Sequence, residues 1–141
     1  MLTIAVAENP QDRAAVFVIR GAVFVAEQQV PIEEEWDAHD LDADHLLARL
    51  DGVAVGTGRL VARDGTGVLG RLAVLPQARG TGSGAALVRA IEERARVRGL
   101  KAMELHAQTH ALAFYEKLGY QAYGDEFLDA GIPHLHMRKD L

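Results

Sequence analysis

Apolar and polar positions change period several times along this chain, and each change marks an element. Thr3–Ala7 reads as a short strand. Asn9 and Pro10 then supply an N-cap and a proline at the first helical position. Val16, Ile19, Val23 and Phe24 recur at helical spacing, which predicts an amphipathic helix from residue 10 to about residue 26. His45–Leu50, Val53–Ala62 and Val68–Val74 are strand-like runs, separated by turn signals at Asp51-Gly52 and Arg63–Gly67. These three predict an antiparallel meander. A helical run from Ala85 to Arg98 follows, with Leu87, Ala90, Ile91 and Ala95 on one face and Gly99 as its stop. Lys101–Ala107 is the next strand. It is reached through a strand–loop–helix passage, so it is expected to pair parallel. A short helix over Ala111–Leu118, closed by Gly119, precedes strands at Tyr120–Tyr123 and His134–Arg138. The expected class is α/β: a meander, then a βαβ unit, with no repeat or linker dividing residues 1–141.

Between these elements lies an acidic segment, Glu33, Glu34, Glu35, Asp37, Asp40, Asp42 and Asp44, with Trp36 and His39 among them. It reads as a loop with at most a short helical turn. It is expected to bias a neighbouring cleft toward cations. His39, Asp40, Asp42, Asp44 and His45 have metal-ligating side chains but no zinc-type spacing, so a solvated loop is favoured and no metal is expected.

Composition narrows the class further. With 141 residues, 49% hydrophobic and 25% charged, the chain is long enough for one packed domain. A formal net charge of -5 argues against general nucleic-acid binding. There are 0 cysteines, hence no disulfide scaffold and no thiolate metal site. The start has no basic region ahead of an apolar one, and no run approaches the roughly 18–20 apolar residues of a membrane span. A cytoplasmic location without membrane contact is the expectation.

The chemistry-bearing stretch is Gln77-Ala78-Arg79-Gly80-Thr81-Gly82-Ser83-Gly84. Glycines at alternate positions leave backbone N–H groups uncovered at the mouth of a helix, where the dipole favours an anion. A dinucleotide fingerprint needs G-x-G-x-x-G after a first strand, and a Walker loop needs a lysine. Neither fits. The remaining alternatives are a tight packing turn and a cradle for another phosphorylated cofactor.

Gln77–Gly82 resembles, position for position, the Gln/Arg-x-x-Gly-x-Gly/Ala signature of the GCN5-related N-acetyltransferases, the GNAT family. Leu72-Ala73-Val74-Leu75-Pro76 resembles that family's fourth strand. Ala113-Phe114-Tyr115-Glu116-Lys117-Leu118-Gly119-Tyr120 resembles its helix and following strand near the C-terminus. Arg20–Pro31 and Gly131-Ile132-Pro133-His134 are similar to the ElaA/YjcF-like branch. The resemblance spans nearly the whole chain.

It implies a GNAT fold and acyl transfer from acetyl-CoA to a primary amine, of a small metabolite or a lysine side chain, by direct transfer in a ternary complex. It implies that backbone N–H groups of Arg79, Gly80, Thr81, Gly82, Ser83 and Gly84 hold the pyrophosphate. Arg79 would add charge, and Gln77 would bond within the loop or to the cofactor. Leu72, Ala73 and Val74 would pair with the pantetheine arm. Tyr115 occupies the family's general-acid position, and Gln108 stands where many relatives have asparagine. Many GNATs carry a glutamate just before the Leu-Ala-Val stretch, but this chain has Gly70-Arg71. A base must come from elsewhere, or from water, and His106, Glu104, Glu126 and His134 are the side-chain candidates. The fold is often homodimeric. A module that binds acyl-CoA without turnover stays open as the alternative.

Overall fold

Seven strands pair into one mixed sheet in the computed structural model, which describes Met1–Leu141. In chain order they are β1 (Leu2–Val6), β2 (Asp44–Leu50), β3 (Val53–Arg63), β4 (Thr66–Val74), β5 (Ala102–Gln108), β6 (Gln121–Asp129) and β7 (Ile132–Asp140). The spatial order is β1-β2-β3-β4-β5-β7-β6. Only β4 and β5 run parallel. The helix joining them is α3, Ser83–Val97. The α/β expectation, with its meander and parallel crossover, therefore holds.

Period-2 alternation decides what each face meets. Leu46 and Ala48 face a core with Leu60, Leu69, Leu105 and Met137, covered by Leu87, Val88, Ile91 and Ala95 of α3. Leu47, between them, turns to the opposite face and packs with Ala73 against Val16, Ile19 and Val23. Those three lie on α1 (Pro10–Arg20) and its extension. The Asn9 side chain caps α1 by accepting from the Asp12 N–H at 2.7 Å, with Pro10 at the first position. Helix α3 lies close on β3: a Cβ at Gly58 would come within 2.6 Å of Ile91 Cδ1.

Three departures from the sequence reading matter. The first helix is α-helical only to Arg20, and Gly21–Glu27 continues as a π-helical turn. The acidic segment forms a four-residue helix, α2 (Ile32–Glu35), and a 3₁₀ turn over Ala38–Leu41. The last two strands are longer than expected. The sequence reading ends the first of them at Tyr123, but Gly124, Asp125 and Glu126 form an irregularity inside β6, where pairing to β7 shifts between Tyr123 and Phe127. An exposed edge strand carries little apolar alternation to reveal it.

Candidate active site

The parallel ladder between β4 and β5 stops early. It runs from Thr66↔Ala102 to Leu69↔Leu105 and goes no further. At the next position β4 bulges. Gly70 still pairs with Arg59 and Ala73 with Thr57, so Arg71 and Leu72 together oppose one residue of β3. Arg71 takes φ +52, a left-handed conformation that costs roughly 1–2 kcal/mol in a non-glycine residue. A bulge bends and twists its strand. Beyond it, Leu72–Val74 and His106–Gln108 have no strand between them. A cavity of about 600 Å³ opens at this divergence. The π-helical turn and the acidic segment roof it, through Phe24, Gln28 and Asp37.

The glycine loop follows β4 directly. A 3₁₀ turn at Pro76–Ala78 leads to Gly80 and Gly82, both at positive φ (80° and 84°), and Gly82 opens α3. A Cβ on either glycine would meet nothing within 4 Å, so the backbone conformation requires glycine here and the space above is open. Thr81 Oγ1 donates to Ala78 O at 2.5 Å and lies 2.7 Å from Ser83 Oγ, which braces the loop. The first amides of α3 point outward without side-chain caps. The residues present thus fit an anionic group. Two side chains depart from expectation. Arg79 is committed to Glu27 through two hydrogen bonds and to Val74 O at 3.0 Å. Gln77 is exposed, and its amide bonds no other group of the loop.

Tyr115 reaches the cleft from α4 (Leu112–Lys117), beside Phe114 and Tyr120. It is 8% exposed, and burial alone pushes its pKa up to about 12. The hydroxyl accepts or donates no protein hydrogen bond, so it is a protonated donor without a partner.

The remaining candidates separate. His134 is 7% exposed and lines the cleft. Its Nδ1 lies 2.6 Å from Ile132 O. A carbonyl only accepts, so Nδ1 carries the proton and Nε2 holds the lone pair. His106 also lines the cleft, more openly, with its ring edge-on to His136 and Phe127. Its pKa is lowered, first by burial and then by His136. Gln108 donates to Gln28 Oε1 at 2.9 Å, and its Oε1 lies 2.6 Å from His110 Nε2. Its amide thus links β5 to the π-helical turn. Glu126 lies exposed at the irregularity in β6, outside the cleft lining, and Glu104 lies outside it too. Glu104 still lies near enough to His106 for its charge to oppose the lowering of that ring's pKa, whereas Glu126 acts on none of the other candidates.

The acidic segment meets three arginines. Arg20, wholly buried, donates to Glu35 Oε1 at 2.6 Å and to Asp40 Oδ1 at 2.7 Å. Arg59 donates to Asp37 at 2.8 Å and Asp40 at 3.0 Å. Arg71 donates to Glu35 O at 3.0 Å and Asp37 Oδ2 at 3.2 Å. Arginine thus neutralises Glu35, Asp37 and Asp40, while Glu34 lines the cleft without an ion pair, so the expected pull on cations rests on fewer acids than the sequence offers. Asp44 pairs with Arg94 and Arg98, and His45 Nε2 lies 3.0 Å from Asp40 O, so these side chains converge on no common point.

A family model described as an acetyltransferase (GNAT) domain matches residues 8–141. The chain belongs to the GNAT acetyltransferase family. YjcF, an uncharacterized N-acetyltransferase of Bacillus subtilis, is 42% identical over 136 residues, covering 96% of this chain and 97% of its own. The crystal structure of Escherichia coli ElaA matches with a TM-score of 0.87 at 27% identity, over 99% of both chains. An acyl-CoA N-acyltransferase from Pseudomonas aeruginosa matches with a TM-score of 0.85 at 33% identity, over 99% of this chain and 98% of that one. These similarities place this GNAT enzyme in the ElaA/YjcF-like branch, and they favour an N-acetyltransferase over a non-catalytic module.

In this GNAT domain, sequence reading missed Gln28, Arg59 and Arg71 as parts of the cleft. No local signal marks Gln28 or Arg59. The unusual Gly70-Arg71 pair was visible, but it read only as a missing glutamate.

Proposed function

We propose that this GNAT enzyme uses acetyl-CoA and transfers its acetyl group to a primary amine, of a small metabolite or a lysine side chain, directly in a ternary complex. The observation that carries this reading is the divergence after Leu69 and Leu105, which leaves two strand edges open beside an unpartnered Tyr115 hydroxyl.

The roles follow from what each group can do. The amides of Arg79 to Gly84 bind the pyrophosphate, with positive charge from the α3 dipole. The backbone of Leu72, Ala73 and Val74 pairs with the pantetheine arm as an added strand would. An N–H near Val74 orients the acyl carbonyl and stabilises charge developing on its oxygen. Acetyl-CoA supplies an activated thioester. Tyr115, still protonated at neutral pH, donates a proton at the departing sulfur. His134 Nε2 takes a proton from the amine, directly or through water, while Ile132 O holds the ring. His106 is the second candidate for that step. Gln108 holds the π-helical turn over the slot. No cysteine exists to carry the acetyl group, which favours direct transfer.

Calorimetry with acetyl-CoA, followed by thiol release across an amine panel, tests the reading. Micromolar binding and amine-dependent release are expected. Release that is independent of amine would overturn the acceptor side, and absence of binding would overturn the slot.

A further inference from the structure

Arg59 holds one of the few buried polar atoms that lack a partner. Its side chain is only 9% exposed, and its Nε bonds to nothing. Buried N–H groups are almost always satisfied, so an orphan on a cleft wall calls for an explanation. Nη1 is the engaged nitrogen, shared between Asp37 Oδ1 and Asp40 Oδ1. The Nε–Nη2 edge of the guanidinium donates to no protein group. That edge presents two parallel N–H bonds, a geometry matched by the two oxygens of a carboxylate.

Gly70 borders this edge. A Cβ built on Gly70 would come 3.7 Å from Nη2 and 3.8 Å from Nε, with nothing else within 4 Å. A side chain here would pack against the fork; glycine leaves only backbone beside it, and both residues line the cleft. Arg71 lies next to it, engaged through Nε and Nη2 but not Nη1. Its pKa is lowered, first by burial and then by the charges of Arg59 and Arg20. Three arginines stand against three carboxylates here, and the Nε–Nη2 edge of Arg59 is a donor edge that this pairing leaves unused. Glu34 and Asp129, elsewhere in the lining, form no ion pair and suit an ammonium instead.

We infer that the free edge of Arg59 docks a carboxylate carried by the amine acceptor, so that the acceptor is an amino carboxylate rather than an alkylamine, a polyamine or a protein lysine. This rests on the acetyl-transfer reading above and names its substrate class.

The test compares ω-amino carboxylates from β-alanine to 6-aminohexanoate with the n-alkylamines and diamines of equal length, by thiol release. The wild-type enzyme should favour at least one amino carboxylate over its matched amine by tenfold or more in kcat/KM. Arg59→Lys keeps a cation for Asp37 and Asp40 but loses the fork, and should erase that preference. Gly70→Ala has ordinary backbone geometry and places a methyl against the fork, and should erase it while the protein stays folded. Acetyl-CoA affinity should change less than about twofold in both, as calorimetry reads it. Equal rates for every matched pair would overturn the inference, as would a preference that survives Gly70→Ala. Should no amine be acetylated, the transfer reading fails separately. Docking is then read from the Arg59 Nε–H NMR signal, assigned with Arg59→Lys, during titration with 5-aminopentanoate in the presence of CoA. A saturable shift supports docking; a shift that pentylamine reproduces, or none, overturns it and assigns the orphan to bound water.

Discussion

Glu27 accepts two hydrogen bonds from Arg79, at 2.6 and 2.8 Å, and so ties the π-helical turn to the glycine loop. Both side chains are 43% exposed, so the pair contributes little to stability. If the glycine loop holds the pyrophosphate as proposed, the pair competes with it for the Arg79 guanidinium. Glu27→Ala should tighten acetyl-CoA binding about threefold at low salt, with the gain fading near 0.5 M salt as screening shortens. Adding Arg79→Ala should reverse the gain. Unchanged affinity in the single variant would leave Arg79 a purely structural brace.

Gly82 tests the cradle itself. Gly82→Glu projects a carboxylate into the open space above the loop and should weaken acetyl-CoA binding by about a hundredfold or more, since it opposes both the amides and the dipole. Gly82→Asn shares the strain of a positive φ without the charge, and asparagine tolerates that region. It should keep affinity within about fivefold. Equal losses in the two variants would point to backbone distortion.

Tyr115→Phe removes the unpartnered hydroxyl and retains the ring packed on Phe114 and Tyr120. Turnover should fall by about tenfold to a hundredfold, at the low end for general acids because a thiolate leaves readily. Acetyl-CoA affinity should hold. The wild-type Tyr115 pKa is raised from 10.0 to about 12, so the folded state keeps its proton longer than the unfolded state. Its contribution to stability is complete below pH 10 and is lost as pH rises through 12. Alkaline denaturation of Tyr115→Phe should lack that component.

The two histidines divide by activity. His134→Gln should lower kcat/KM by about a hundredfold, whereas His106→Gln should change it by less than about threefold. A larger loss in His106→Gln would move the proton step to His106, whose acidic limb would lie below the ordinary histidine value because burial and then His136 lower that ring's pKa.

Asp40 carries the charge cluster. Burial would raise its pKa, but hydrogen bonds from Arg20 and Asp37 N–H, with Arg59, bring it down from 3.8 to about 2. The folded value lies below the unfolded one. Its stabilisation, about 2 kcal/mol from that shift, is therefore present above pH 4 and lost as pH falls through 2. Asp40→Asn leaves Arg20 and Arg59 partly unpaired and should cost about 3 kcal/mol at pH 7 by urea denaturation. The gap to wild type should narrow between pH 4 and pH 2.

Much of this protein was legible before folding. The alternation in β2 and β3, the 3.6-residue period of α1 and α3, and the strand-to-helix glycine loop are local patterns. Backbone sterics and side-chain spacing within a few residues decide them, and Gln77–Gly84 with Tyr115 carried the family. The limits of β6 were illegible because an exposed edge strand shows little alternation. The π-helical turn was illegible because its side chains keep a helical spacing.

The sequence by itself determined the elements, the glycine loop and the GNAT resemblance, since each depends on neighbours along the chain. Tertiary structure decided the wall of the cleft that carries the arginines. Arg59 and Arg71 meet Asp37 and Asp40 across 19 to 34 residues of chain, and that pairing neutralises these two acids of the loop. It also left one edge of Arg59 open against Gly70. Where a charge ends up depends on which distant partner packing brings within hydrogen-bond reach, and no spacing along the chain encodes that.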